Sequence, residues 1–395
     1  METWRKGTTF WPVPDCLSAR REGAGAHRRK GRTVTPDLGS ESAVRSRELD
    51  QNKEKVRALT ETEYESEQPP RRILCIDGGG ILGTFPAAFL AELEQHLDHP
   101  IGSYFDLIAG TSTGGILAIG LAMGLSASDL LDLYEKRGPE IFGENHGPLV
   151  NFANRKLRGL RRLYRRKHDS DALRAVLEEV LGERRIGEAR TRLIVPAWNP
   201  VAQCVYIYKT AHHIRLKTDY RSLAVDAALA TSAAPTYFRH HITQHDVGLL
   251  DGGIWANNPI AIAAVEAVTV LGWPRESLHI LSLGCLEETY TIPKWAGLGT
   301  LGSKIVKLFM DGQSHGAMGI AKLITGHEHD RTAIYRINHA VPYNAYKMDD
   351  TRVIQDLKGL GHTKARDRQP VLEPVFFQQS AEGFTPVYKI NEASS

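Results

Sequence analysis

Three short stretches of this chain hold residue types that can perform acyl chemistry, and they lie far apart in sequence. The first is Gly110-Thr111-Ser112-Thr113-Gly114, a G-x-S-x-G pentad between the apolar run YFDLIAG and the small-residue run ILAIGLAMG. Between a strand and a helix, such a pentad is the turn that lifts a serine hydroxyl above a sheet, because the flanking glycines permit a tight backbone. Ser112 is then the candidate nucleophile, framed by Gly110 and Gly114. Any glycine-rich helix start can contain the same five letters, so the pentad alone leaves a plain structural turn open.

The second stretch, DGGGILG at 77–83, sets the backbone N–H groups of Gly78, Gly79 and Gly80 at a helix start. Consecutive N–H groups so placed bind a phosphate or stabilise an oxyanion. Gly78, Gly80 and Gly83 also satisfy the G-x-G-x-x-G dinucleotide spacing, which keeps a cofactor-dependent oxidoreductase as a rival. Two features oppose that rival. The acidic residue expected about 20 residues later, at the end of a second strand, has candidates only within the next helix at Glu92 and Glu94, or after it at Asp98. The following strand and helix also deliver a serine elbow, which a dinucleotide site does not need. The third stretch is LLDGGIWANNP, where Asp251 follows an apolar strand and precedes two glycines. A carboxylate there can accept a serine proton as general base, although a lone D-G-G also reads as a simple turn.

The elements that must position these residues follow from the hydrophobic pattern. RILCID is a short apolar run ending in a tight glycine turn, and AAFLAELEQHL sets Phe89, Leu90, Leu93 and Leu97 on one helical face after Pro86, which a first turn accepts. The pattern repeats through YFDLIAG and the elbow. SASDLLDLYEKRG then opens with a capping-box-like Ser126 and Asp129. Further strands are predicted at RLIVPAW, CVYIYKT, GLLDGG and LHILSLG, and helices at SDALRAVLEEVLG, SLAVDAALATSAA and PIAIAAVEAVTVLG. This alternation predicts an α/β fold with a largely parallel sheet covered on both faces.

Composition bounds the rest. With 42% hydrophobic and 24% charged residues among 395, the chain can bury a large core, and a net charge of +3 is too small to point to a nucleic-acid polymer. The four cysteines are scattered without metal or disulfide spacing, which fits a reducing, cytoplasmic compartment. No signal peptide is apparent. The apolar window from Phe105 to Leu125 carries Asp106 and a polar, glycine-rich centre that a membrane span would not tolerate. Residues 1–70 read as a disordered extension with a short helix near Glu48 to Leu59. Residues 71–380 read as the catalytic domain and 381–395 as a tail. The basic run RKLRGLRRLYRRKH, 155–168, alternates cations with Leu157, Leu160, Leu163 and Tyr164. It suits a peripheral contact with anionic lipid, the phosphates of a nucleotide, or simply a solvated amphipathic helix. The histidine-rich segments FRHHITQHD and TGHEHD lack a complete ligand set, so no metal is expected. A Ser-His-Asp hydrolase using His279 or His315 stays open, without an H-G-G-G-type segment to support it.

Taken in order, DGGGILG, GTSTGG and DGG, with ATSAAPTYF at 230–238 and NNP at 257–259, resemble the patatin-like phospholipase family over roughly residues 72 to 380. The resemblance implies a three-layer α/β/α fold and a Ser112–Asp251 dyad that needs no histidine. It also implies an oxyanion hole from the N–H groups of Gly78, Gly79 and Gly80, a membrane phospholipid substrate, and no metal or organic cofactor. Two positions depart from the family: Leu82 stands where many members carry a basic residue, and Gly284-Cys285 replaces a Gly-Thr-Gly sequence. Within the family, ILCIDGGGILGTFPAAFLAELE, DGQSH at 311–315 and YKMDDTRVIQDLKGLGHTKA look most like the bacterial phospholipase effectors of anti-phage signalling. That likeness implies a cyclic dinucleotide activator and transient work at the inner face of the membrane. A catalytically silent nucleotide sensor and a homo-oligomer are left open by the same residues.

Overall fold

The computed structural model describes residues 69–142 and 170–390, apart from residues 236, 293, 296, 298–303 and 330. The expected N-terminal extension, but for its last two residues, and the basic run 155–168 lie outside the described residues. Within them the alternation read from the sequence appears as a mixed, mostly parallel sheet. Strands β1 (Arg71–Ile76), β2 (Leu107–Gly110), β3 (Arg192–Asn199), β7 (Leu278–Leu283) and β9 (Ile334–Ile337) run parallel in the order β3-β2-β1-β7-β9. Strands β4 (Cys204–Lys209) and β6 (Gly248–Asp251) join β3 antiparallel, and β5 (His241–Ile242) joins β6. A separate pair consists of β8 (Glu287–Thr289) and β10 (Ala340–Pro342).

Alternation along each strand divides the core into two faces, as a period of two requires. Leu74, Ile76, Ile108, Leu193, Val195, Leu281 and Leu283 lie in one cluster, while Ile73, Cys75, Leu107, Ala109, Ile194 and Ile280 lie in the other. The first face is covered by α1 (Thr84–Glu94), α2 (Thr113–Ala122), α6 (Ala224–Thr231) and α10 (Ile354–Phe376). Between α2 and α6 in the chain come α3 (Ala127–Asp132), α4 (Gly138–Phe142) and α5 (Ser170–Leu181), and Ser126 caps α3 by accepting the Asp129 N–H at 3.0 Å. The other face is covered by α8 (Ile260–Thr269), which follows the short α7 (Gly253–Ala256), and by the 22-residue α9 (Lys304–Thr325).

Strand β3 carries three partners on two edges, and this decides where the site forms. Ile194 pairs with both Ala109 and Lys209, while Ala197 pairs with both Asp251 and Tyr206. β4 therefore fills one edge along its length, and β2 and β6 share the other. Where β2 stops at Gly110, β6 takes over and ends at Asp251, directly beyond the turn that follows β2.

Two long-range contacts fix the C-terminal part. Helix α10 packs on α1, with His362 and Arg366 paired to Glu92 at 2.6 and 2.5 Å, and its end is seated by Phe376 and Phe377 against Tyr104 and Phe105. The segment expected as a tail continues across the domain: Ala381 N–H donates to Ser103 O, Val387 N–H donates to Ala211 O, and Tyr388 stacks on Tyr220. On β9, Arg336 reaches buried Asp77 with two hydrogen bonds of 3.0 and 2.6 Å and donates to Ser282 Oγ at 2.8 Å.

Removing one partner of a buried ion pair leaves an uncompensated charge, whereas removing both does not. Arg336→Met is therefore expected to lower the unfolding free energy by about 3 kcal/mol, the low end for such a pair because the guanidinium keeps some contact with water. The double variant Asp77→Asn/Arg336→Met should recover most of that loss in urea titrations. Equal midpoints for the single and double variants would show that the pair does not hold the loop.

Candidate active site

Ser112 follows β2 with φ 55° and ψ −127°, outside the regions that non-glycine residues normally occupy, and caps α2. Holding a residue there costs on the order of 1–3 kcal/mol and requires surroundings that over-determine it. They do. The Ser112 N–H donates to Thr231 Oγ1 at 3.0 Å, and the Thr231 hydroxyl donates to Pro196 O at 2.7 Å. The Ser112 carbonyl accepts from Gly115 and Ile116 at 2.8 and 3.1 Å. Thr111 donates through its N–H to Ile76 O and through its hydroxyl to Ala256 O. The two elbow glycines are required by contact with backbone: a Cβ on Gly110 would lie 2.1 Å from Gly114 O, and one on Gly114 would lie 2.4 Å from Asp77 O.

Asp251, the last residue of β6, meets this serine. Ser112 Oγ donates to Asp251 Oδ2 at 2.7 Å, and Gly253 N–H donates to Asp251 Oδ1 at 2.6 Å. The carboxyl is buried, and that burial pushes its pKa up to about 6 against the pull of both hydrogen bonds. A base titrating there is ionised at neutral pH yet basic enough to take a proton from a hydroxyl during attack. His279 sits on β7 opposite Arg72, four positions before Leu283, which pairs with the end of β1, so it lies well down the sheet from Ser112. His315 is exposed on α9. Among the described residues no histidine is hydrogen-bonded to either member of the pair.

The glycine loop packs against the same point, with its donors arranged differently from the expectation of three free N–H groups. A Cβ on Gly78 would lie 3.0 Å from Ser112 Cβ, so this residue abuts the serine, but its N–H donates to Asn257 O at 3.1 Å. Gly79 N–H makes a long bond of 3.3 Å to Thr113 Oγ1. Gly80, at φ 60°, has no acceptor for its N–H among the described residues. The loop is held from four sides. Asp77 is clamped by Arg336, Asp77 O accepts from Cys285 Sγ, Ile81 N–H donates to Met348 O, and Asn257 Nδ2 donates to Gly78 O. Cys285 and Met348 pack against the Cα atoms of this loop: a Cβ on Gly79 would be 2.4 Å from Cys285 Cβ, and one on Gly80 would be 2.4 Å from Met348 O. Contact with the protein itself thus demands glycine at both positions. Leu82 is buried and supplies no cation to the loop.

Several of these supports had no sequence signal of their own. No local pattern marks Arg336, Thr231 or Gln313, which accepts from Asn257 N–H at 2.7 Å. The segments around Thr231 and Gln313 are among those that carry the family resemblance, and the structure gives them a reason. ATSAAPTYF supplies the bond to the Ser112 N–H, and DGQSH ties α9 to Asn257 and Asn258 through Gln313 and Ser314.

Residues 74–264 match the family model described as patatin-like phospholipase. Three relatives each carry the name cGAMP-activated phospholipase. One from Pseudomonas aeruginosa is 39% identical over 58% of this chain and 67% of its own length. One from Vibrio cholerae serotype O1 is 33% identical over 79% of this chain and 93% of its own length. One from Escherichia coli is 34% identical over 63% of this chain and 74% of its own. With the fold, the elbow and the glycine loop agreeing with that match, this chain belongs to the patatin-like phospholipase family.

Proposed function

We propose that this protein hydrolyses fatty-acyl esters of membrane phospholipids with a Ser112–Asp251 dyad, and that a cyclic dinucleotide switches it on. The observation that carries the reading is the 2.7 Å hydrogen bond from a serine in a left-handed elbow to a buried carboxylate. In this reading Ser112 Oγ attacks the acyl carbonyl carbon as its proton passes to Asp251 Oδ2. The carbonyl oxygen becomes an oxyanion stabilised by the N–H groups of Gly79 and Gly80, with Gly78 keeping the loop against Asn257. Collapse of the tetrahedral intermediate expels the lysophospholipid alkoxide, which takes the proton from Asp251. A water then gives its proton to Asp251 and attacks the acyl-enzyme, and as this second intermediate collapses Ser112 Oγ takes that proton back while the fatty acid leaves. No step needs a metal or organic cofactor.

The activator is supported by the names of the relatives, which specify cGAMP. A defence effector that degrades the cell's own membrane, working at its inner face, fits that activator. No helix among the described residues is long and apolar enough to cross a membrane. We take residues 71–380 as the catalytic domain, with the chain up to 390 strapped to it.

Fatty-acid release from phospholipid vesicles is expected with cGAMP present, falling at least about 10³-fold in Ser112→Ala, since the covalent step is lost. Release without any nucleotide would keep the hydrolase and remove the switch. Release that persists in Ser112→Ala would overturn the dyad.

The raised pKa of Asp251 gives a second expectation with a definite sign. The folded state holds this proton more tightly than the unfolded chain, so ionisation as pH rises from about 4 to about 6 destabilises the fold, and the penalty is fully present above pH 6. Asp251→Asn is expected to abolish hydrolysis while raising the melting temperature at pH 7.5 by several degrees, a gain that shrinks towards pH 4. The wild-type rate should fall below about pH 6 with the slope of one proton. A melting temperature lower in Asp251→Asn at every pH would contradict the burial argument.

A further inference from the structure

Helix α9 packs on the sheet by one face and leaves the other uncovered. Ala321 and Thr325 are buried, and Gln313 and Ser314 turn inward to Asn257 and Asn258. The outward face is apolar rather than charged: Val306, Phe309, Ile320 and Leu323 are 60, 69, 48 and 73% exposed. Between them lie Gly312, Gly316 and Gly319, where an added Cβ would meet nothing within 4 Å. Nine residues before the helix in sequence, Trp295 is 76% exposed. Soluble surfaces rarely present so long an apolar stripe without an occupant.

The charges around the stripe select the occupant. The only carboxylate on α9 is Asp311, held by the Tyr290 hydroxyl at 2.8 Å and by Lys307 at 3.6 Å. The neighbouring Glu288 and Glu328 are paired to Lys307 and Lys322. Lys294, which precedes Trp295 in the chain, and Lys304, the first residue of α9, have no carboxylate partner among the described residues, and Lys304 Nζ lies 4.5 Å over the Tyr343 ring. An apolar stripe on a helix with no unpaired carboxylate, preceded in the chain by an exposed tryptophan and opened by lysines without carboxylate partners, is the pattern of a helix that lies in a lipid headgroup layer.

We propose that the outward face of α9, with Trp295, docks this protein on an anionic lipid surface. The inference rests on the phospholipase reading for its purpose but not for its test. The inner face of the same helix is one hydrogen bond from Asn257, whose carbonyl holds Gly78 beside Ser112, so docking here brings the bilayer to the helix that braces the catalytic loop.

The experiment is flotation with vesicles of phosphatidylcholine, with and without phosphatidylglycerol, using the full chain with cGAMP. It is run alongside hydrolysis of a soluble short-chain ester. Wild type is expected to bind the anionic vesicles about thirtyfold more tightly than the neutral ones, the scale of two lysines near a charged surface at about 1 kcal/mol each. Lys294→Gln/Lys304→Gln should erase that preference. Trp295→Ser/Phe309→Ser should lose binding to both vesicles about tenfold or more, with soluble-ester hydrolysis unchanged. Wild-type vesicle binding by the Trp295→Ser/Phe309→Ser variant would overturn the proposal. So would conversion of a wild-type dimer to a monomer by that variant, which would assign the face to a second copy of the chain. If soluble-ester hydrolysis is absent from wild type, the phospholipase reading fails while the flotation result still judges the helix.

Discussion

The site depends on backbone lying against backbone at the ends of the central strands. Gly114, at the start of α2, approaches the carbonyls of Ile76 and Asp77 at the end of β1, Gly110 approaches Gly114, and Gly252 approaches Pro196 O on β3 so closely that a Cβ would lie 2.2 Å away. These contacts draw the ends of β1, β2, β3 and β6 to one point. Because β2 and β6 share an edge of β3, Ser112 and Asp251 sit at the ends of strands that succeed one another along it. A methyl group at any of the three glycines would move a strand end by about an ångström, and misplacement on that scale already costs about 100-fold in rate. Here glycine is demanded by space, and the strain of Ser112 is sustained because the same packing prevents the turn from relaxing.

Electrostatics then fix what packing has assembled. Asp77 follows β1 in a buried position, where burial raises its pKa, while the Arg336 guanidinium opposes that rise and keeps the glycine loop tied to β9. Asp251 has no such cation. Its two hydrogen bonds come from a hydroxyl and a peptide N–H, so burial dominates and the carboxyl stays basic. Two buried aspartates near strand ends are thus set apart by their partners: one faces a guanidinium, the other only neutral donors.

The elements of the fold were legible because the pattern is local. Buried parallel strands read as apolar runs, and the glycine turns mark their ends. The serine, the aspartate and the glycine loop were legible because each is a short motif. What escaped the sequence is what depends on distant pairing. Arg336 is 259 positions from Asp77, and Asn257 removes Gly78 from the free donors by a crossing of two loops that no local pattern announces. Helix α10 contains Pro370 and Pro374, residues that ordinarily break a helix. Spaced four apart, both fall on the exposed face, while Ala365, Leu372 and Phe376 remain buried on the other side.

The state of the site also bears on how a ligand can switch it. In the proposed dyad the serine is already bonded to the carboxylate at 2.7 Å, so a switch gains nothing by bringing these two together. The oxyanion side is less complete: Gly78 N–H is committed to Asn257, Gly79 N–H rests on Thr113 at 3.3 Å, and Leu82 offers no charge. A single oxyanion donor is worth about 3–4 kcal/mol of transition-state stabilisation. Releasing or re-aiming one N–H in this loop therefore changes the rate by 10²- to 10³-fold, enough for a switch, with no movement of Ser112 or Asp251. The route to such a change exists in the packing. Asn257, which holds Gly78, is itself held by Gln313 of α9, so whatever displaces that helix by a fraction of an ångström acts first on the donors and only afterwards on the dyad.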